Sequence, residues 1–117
     1  KIAQECDKLN NFNAVMEISA GLQLSPIYRL KQTWQEVPKQ YVDILDGLKQ
    51  LMSTQENWKQ YRAVLKLRDP PCLPYLGMYL TDLTFIEDGN KDFLEPDIIN
   101  FIKCQQLSIV IQDIQQY

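Results

Sequence analysis

The strongest constraint on this chain is a cluster of prolines followed by an almost wholly apolar helix. Pro70, Pro71 and Pro74 stop any helix that reaches them, because each lacks an amide proton and disfavours helical geometry in the residue before it. From Tyr75 to Asp88 only Gly77 interrupts a helical reading, and Gly89 is placed for a left-handed stop. Leu76, Met78, Tyr79, Leu80, Leu83, Phe85 and Ile86 leave that helix no wholly polar face. Such a helix has to be covered on several sides, and a partner can supply part of the cover.

Composition narrows the function classes. A chain of 117 residues fits one small domain or a piece of a larger one, and 45% hydrophobic residues suffice for a packed core. A net charge of −3 with mixed signs gives no reason to expect nucleic acid. No apolar run approaches the roughly 18 residues of a membrane span, and no signal peptide opens the chain. Cys6, Cys72 and Cys104 are far apart and odd in number, which suits reduced cytosolic thiols better than a disulfide framework. The absence of histidine removes His-based nucleophile activation, His general-base chemistry and the usual zinc sites. With no Gly-rich phosphate loop either, no cofactor, metal or covalent chemistry is expected.

The spacing predicts helices throughout and an all-α class. Residues 1–9 read as the tail of a helix that began upstream, with Ile2, Cys6 and Leu9 on one side. Asn10 or Asn11 caps the next helix, whose inner face is Phe12, Val15, Met16, Ser19 and Leu22. Ser25-Pro26 starts a third helix carrying Ile27, Leu30 and Trp34 as far as Val37-Pro38. Pro38 opens a fourth with Tyr41, Ile44, Leu45, Leu48 and Met52 on one side. Ser53-Thr54-Gln55-Glu56 reads as a capping box for a fifth that turns Trp58, Tyr61 and Leu65 inward. After a polar loop from Gly89 to Glu95, Pro96-Asp97 starts the last helix, rich in Ile98, Phe101, Ile102, Leu107, Ile109, Val110, Ile111 and Ile114. No strand-like alternation, repeat or low-complexity segment stands out. The last two helices carry more apolar residue than a short bundle can bury.

Several stretches in order resemble the catalytic domain of Ras-family guanine-nucleotide exchange factors of the Son-of-sevenless type. They are Leu-Asn-Asn-Phe-Asn (9–13), Ser-Pro-Ile-Tyr-Arg-Leu (25–30), Pro-Pro-Cys-Leu-Pro-Tyr-Leu-Gly (70–77) and Tyr-Leu-Thr-Asp-Leu-Thr-Phe-Ile-Glu-Asp-Gly-Asn (79–90). Ile-Asn-Phe (99–101) and Ile-Gln-Gln-Tyr (114–117) complete the pattern. The resemblance implies a helical bundle with a protruding C-terminal hairpin over residues 75–116, together forming the C-terminal half of an exchange domain about twice this length. The N-terminal half of that domain would then be a further partner.

In that family the hairpin wedges into the nucleotide site of a small GTPase (Ras, Rap or Ral), opens the first switch loop, and fills the space of the magnesium ion and phosphates. The resemblance gives the catalytic positions to Thr84 and Asp88, which are four apart and so share one helix face. It gives GTPase contacts to Met16, Gln23, Ser25, Tyr28, Trp58, Tyr75, Phe85, Glu87 and Asn90. Met16 and Tyr75 would help line a pocket for a switch aromatic. It also implies a cytoplasmic protein recruited to the cytoplasmic face of membranes, without inserting into them. The Son-of-sevenless type carries leucine at the position of Thr84 and glutamate at that of Asp88, so the carboxylate here reaches roughly 1.5 Å less far.

Taken alone, the same residues have plainer readings. Glu87 and Asp88 fit solvated charges beside a C-cap glycine, Met16 and Trp58 fit core stripes, and Ser25 is explained as a cap. Tyr75, Leu76 and Leu80 fit core as well. Tyr28 is the exception, since a buried tyrosine needs a partner for its hydroxyl and none is evident locally. The alternative function is a helical protein-interaction module without exchange activity.

Overall fold

Capping and aromatic packing set the frame of the first part of the chain. In the computed structural model, which describes every residue from Lys1 to Tyr117, the chain divides into two units, Lys1–Pro74 and Tyr75–Tyr117. The first holds α1 (Ile2–Lys8), α2 (Phe12–Gln23), α3 (Ser25–Tyr28), α4 (Lys31–Gln35), α5 (Lys39–Leu51) and α6 (Gln55–Leu65). The expected all-α class holds, with one small β-ribbon in the second unit.

Asn11 caps α2 by accepting the Ala14 N–H at 3.0 Å. Asn10 before it takes a left-handed φ of 56°, which asparagine tolerates better than most residues. Its side-chain amide donates to the carbonyls of Asp69 and Pro71, and its own carbonyl accepts the Leu73 N–H at 2.9 Å. Phe12 N–H returns the bond to Leu73. The proline segment 70–74 is thus stitched to the turn between α1 and α2. Beside it, Arg68 pairs with Asp7 at 3.3 Å and lies over the Phe12 ring.

The core of this unit comes from Phe12 and Val15 of α2, Leu45, Leu48 and Met52 of α5 and its cap, and Trp58, Tyr61 and Leu65 of α6. Phe12 and Trp58 both meet Tyr61 edge-on, with centroids 5.3 Å and 6.2 Å away. Cys72 is buried at the margin. Burial pushes its thiol above the ordinary value, and the nearby Arg68 charge partly offsets this.

Two local expectations fail here. The third helix is two short ones, α3 and α4, and Ser25 is not its cap: Leu24 holds that position and no side chain caps the start. The break is an inverse γ-turn at Leu30 (φ −75°, ψ 63°), closed by Lys31 N–H donating to Arg29 at 2.8 Å. The Trp34 indole reaches back over the break and donates to the Ile27 carbonyl at 2.9 Å, which also accepts the Leu30 N–H at 3.1 Å. The capping box at 53–56 does not form either. Ser53 Oγ accepts from Gln55 N–H, and the Glu56 carboxylate pairs with Lys59. Glu56, Asn57 and Trp58 adopt left-handed angles (φ 49°, 53° and 60°), which replace the helical first turn that the box needs. Arg62 clasps that turn by donating from Nε to the Asn57 carbonyl at 2.8 Å.

The second unit contains α7 (Leu76–Gly89), β1 (Phe93–Glu95), β2 (Ile98–Ile99) and α8 (Phe101–Gln115), with α7 and α8 packed on each other. Gly89 does not turn left-handed; no glycine has positive φ. Instead Asn90 leaves in an extended conformation (φ −132°, ψ 130°), and its side-chain amide donates to the Ile86 carbonyl at 2.9 Å. The last helix does not start at Pro96-Asp97. Those two residues form the tight turn of the antiparallel β1–β2 ribbon, with Glu95 opposite Ile98, and proline suits such a turn because its φ is already set. Asn100 caps α8 by accepting the Lys103 N–H at 3.3 Å.

Phe12→Ala is expected to cost about 3–5 kcal/mol in urea denaturation, as for other fully buried aromatic residues cut to alanine. A thiol reagent should label exposed Cys104 well before buried Cys72.

Candidate functional site

The buried arc of α7 is Met78 and Tyr79, with Asp82, Leu83 and Ile86 half-buried beside them. The opposite face therefore presents Leu76, Leu80, Thr84 and Asp88 at successive intervals of four, flanked by Glu87 and by Phe85, which is 66% exposed. Thr84 Oγ1 donates to the Leu80 carbonyl at 2.9 Å, so the hydroxyl is already satisfied within the helix. Tyr75 lies half-buried at the head of α7 with its ring across Gly77; a Cβ at Gly77 would collide with it. Glycine at 77 is thus the condition for that ring position.

Acidic residues crowd the other end, and one cation sorts them. The inner stripe of α8 is Lys103, Leu107, Val110 and Ile114, and Lys103 is its only fully buried member at 4% exposure. Lys103 Nζ lies 2.5 Å from Asp92 Oδ1 and 2.9 Å from Glu87 Oε1. These contacts, Asp92 first, hold its pKa above the ordinary lysine value of 10.5. The Asp88 carboxylate makes no hydrogen bond or ion pair within the chain.

The first unit holds the remaining predicted contacts. Gln23, Ser25 and Tyr28 are exposed at the end of α2 and in α3, and Met16 is half-buried on α2. Tyr28 is 69% exposed, so the buried hydroxyl expected of it is not its situation. Trp58 is 6% exposed and belongs to the aromatic core. Tyr75, Leu76 and Leu80 are likewise not core: the first is half-buried and the leucines are exposed.

The RasGEF domain pattern matches residues 1–105. The chain belongs to the RasGEF family. Over 99% of its length it is 52% identical to Ras guanine nucleotide exchange factor Y of Dictyostelium discoideum, and 46% identical to factor M of the same organism. It is also 46% identical to human Ras-specific guanine nucleotide-releasing factor 1. The chain spans 8%, 13% and 9% of the lengths of these relatives.

For a RasGEF-family chain, the unforeseen residues are Lys103, Asp92 and Asn100. The signal was present as a lysine at the head of an otherwise apolar i, i+4, i+7, i+11 stripe. No helix is long and apolar enough to cross a membrane.

Because pairing raises the folded-state pKa of Lys103 above its unfolded value, its contribution is whole below the ordinary lysine value and is lost as pH rises through the raised one. The stability gap between wild type and Lys103→Met should therefore hold constant from neutral pH to about 10.5 and close only above it, as read by urea denaturation.

Proposed function

We propose that this chain is the C-terminal part of a RasGEF catalytic domain and promotes GDP release from a Ras-family GTPase. The α7–α8 hairpin inserts at the nucleotide and magnesium site. The observation that carries this reading is the exposed face of α7, where an unpaired carboxylate, Asp88, follows Leu80 and Thr84 along one line. Ras is the first substrate to test, ahead of Rap and Ral, because the relatives include Ras-specific releasing factors.

The chemistry needed is competition rather than bond-making. A carboxylate at the end of α7 competes with phosphate for the same cationic and hydroxyl donors, so it favours the empty GTPase over the loaded one. Leu76, Leu80 and Phe85 supply apolar area that is exposed in the free chain and gains from being covered. By linkage, whatever factor favours the empty form must weaken nucleotide binding by the same factor. Each 1.4 kcal/mol of that difference is about tenfold. The incoming nucleotide reverses the process. Gln23, Ser25 and Tyr28, with Met16, form a second contact surface on the first unit, and Tyr75 is a further contact residue of the second. Trp58 supports the first unit from within its core.

Release of fluorescent GDP from Ras, Rap and Ral, measured with this chain and with a form extended at its N-terminus, tests the reading. Acceleration by the longer form supports it. Binding without acceleration by either form would instead favour a non-catalytic interaction module. Asp88→Ala should slow release at least about tenfold while changing affinity for nucleotide-free GTPase much less, and Asp88→Glu should retain most of the rate. Unchanged release by Asp88→Ala would remove Asp88 from the mechanism.

A further inference from the structure

A lysine is the most buried residue of α8, while Phe101, Ile102 and Ile109 of the same helix stand exposed. Lysine commonly buries its stem and leaves its ammonium in water. Here the head group is occupied as well. Its acceptors are Asp92 Oδ1 at 2.5 Å, Glu87 Oε1 at 2.9 Å and the Glu87 carbonyl at 3.5 Å, which match the three donors of an ammonium. The carbonyl belongs to the last turn of α7, where the helix end itself favours a cation. Asn100 completes the fastening: its Nδ2 donates to the Lys91 carbonyl at 2.9 Å and its N–H to the Asp92 carbonyl at 2.8 Å.

The end of α7 and the connection after it carry Glu87, Asp88 and Asp92 within six residues. Lys103 holds two of them and leaves the third. We propose that Lys103 is the positioning residue of the hairpin: it neutralises Glu87 and Asp92 and ties the last turn of α7 to the first turn of α8. Of the three, Asp88 is thereby the one left free, projecting from the last turn of α7 in a fixed direction. This rests on the exchange function proposed above. Without the lysine, Glu87 and Asp92 would lose the ammonium that both contact, leaving three carboxylates near one another with only the exposed Lys91 beside them, and α7 would lose a side-chain tether to α8.

The test is a double-mutant cycle in the full-length protein, read by fluorescent-GDP release from its GTPase. Lys103→Met keeps the length and burial of the stem and removes the charge. It should lower the maximal release rate about tenfold, with affinity for nucleotide-free GTPase changed by less than about threefold. Lys103→Arg should recover most of the rate. In an Asp88→Ala background the same Lys103→Met change should cost little more, because the two residues act through one group. Should Lys103→Met fail to fold, Asp92→Asn, at an exposed position, removes the shorter ion pair and should give a partial loss that likewise vanishes in the Asp88→Ala background. The inference is overturned if folded Lys103→Met matches wild type, if rate and affinity fall together, or if the losses add fully to that of Asp88→Ala. A wild-type protein inactive on Ras, Rap and Ral sinks the exchange reading itself, and this inference falls with it.

Discussion

An ammonium buried where a leucine would ordinarily sit is the constraint on which the second unit depends. With its stem covered and its head group between two partly exposed carboxylates, Lys103 fits the inner stripe of α8 because Glu87 and Asp92 receive its charge. That pairing dictates the rest of the connection. Glu87 must face α8 from the last turn of α7, Asp92 must fold back, and Asn100 must hold the backbone that carries Asp92. The β1–β2 ribbon follows, since the chain has to leave α7, return Asp92 to Lys103, and reverse at Pro96-Asp97 before α8 can begin. An apolar residue at 103 would pack as well but would fix neither carboxylate.

The apolar side chains of the same unit show the opposite economy. Phe93, Leu94, Ile98 and Ile99 of the ribbon are exposed, as are Phe101 and Ile102 at the start of α8. The second unit therefore gets its internal order from a polar cluster and a narrow apolar stripe, and keeps its large apolar groups outside. The proposed exchange function would need this division: the internal geometry has to survive docking, while the apolar area stays uncovered until docking occurs.

Most of the helices were legible because their inner faces repeat at helical spacing. Phe12, Val15 and Ser19, then Leu45, Leu48 and Met52, then Trp58, Tyr61 and Leu65 are buried as the periodicity predicts. The failures sit at ends and turns, where one residue's conformation decides the outcome. Ser25-Pro26 looks like a capped start, yet Leu24 takes the cap position and Leu30 turns the chain before Trp34 can continue the helix. Ser53 to Glu56 spells a capping box that a left-handed Glu56 disables. Gly89 could have ended α7 left-handed, but the Asn90 side chain satisfies the Ile86 carbonyl from an extended backbone and makes that turn unnecessary. Of the candidate site, the four-residue spacing put Thr84 and Asp88 on one face of α7, but only the family resemblance singled them out, and Leu76 and Leu80 of the same face read as core although they are exposed. The role of Lys103 was not readable, because pattern reading treats a lysine as solvent-facing, and the two carboxylates that permit its burial come from other elements.

The departure at Thr84 can be understood on the same terms. A threonine where the Son-of-sevenless type carries leucine would weaken an apolar wedge if its hydroxyl faced outward and needed a partner. Thr84 has already given that hydroxyl to the Leu80 carbonyl one turn back. In the proposed wedge the side chain can therefore act as a small apolar group whose polar atom carries no unmet hydrogen bond. Thr81 makes the same bond to the Gly77 carbonyl at 2.8 Å, so α7 treats both threonines alike. The carboxylate one turn further on is left as the only group of that line with its hydrogen-bonding capacity unspent, which is the property that competition with phosphate requires.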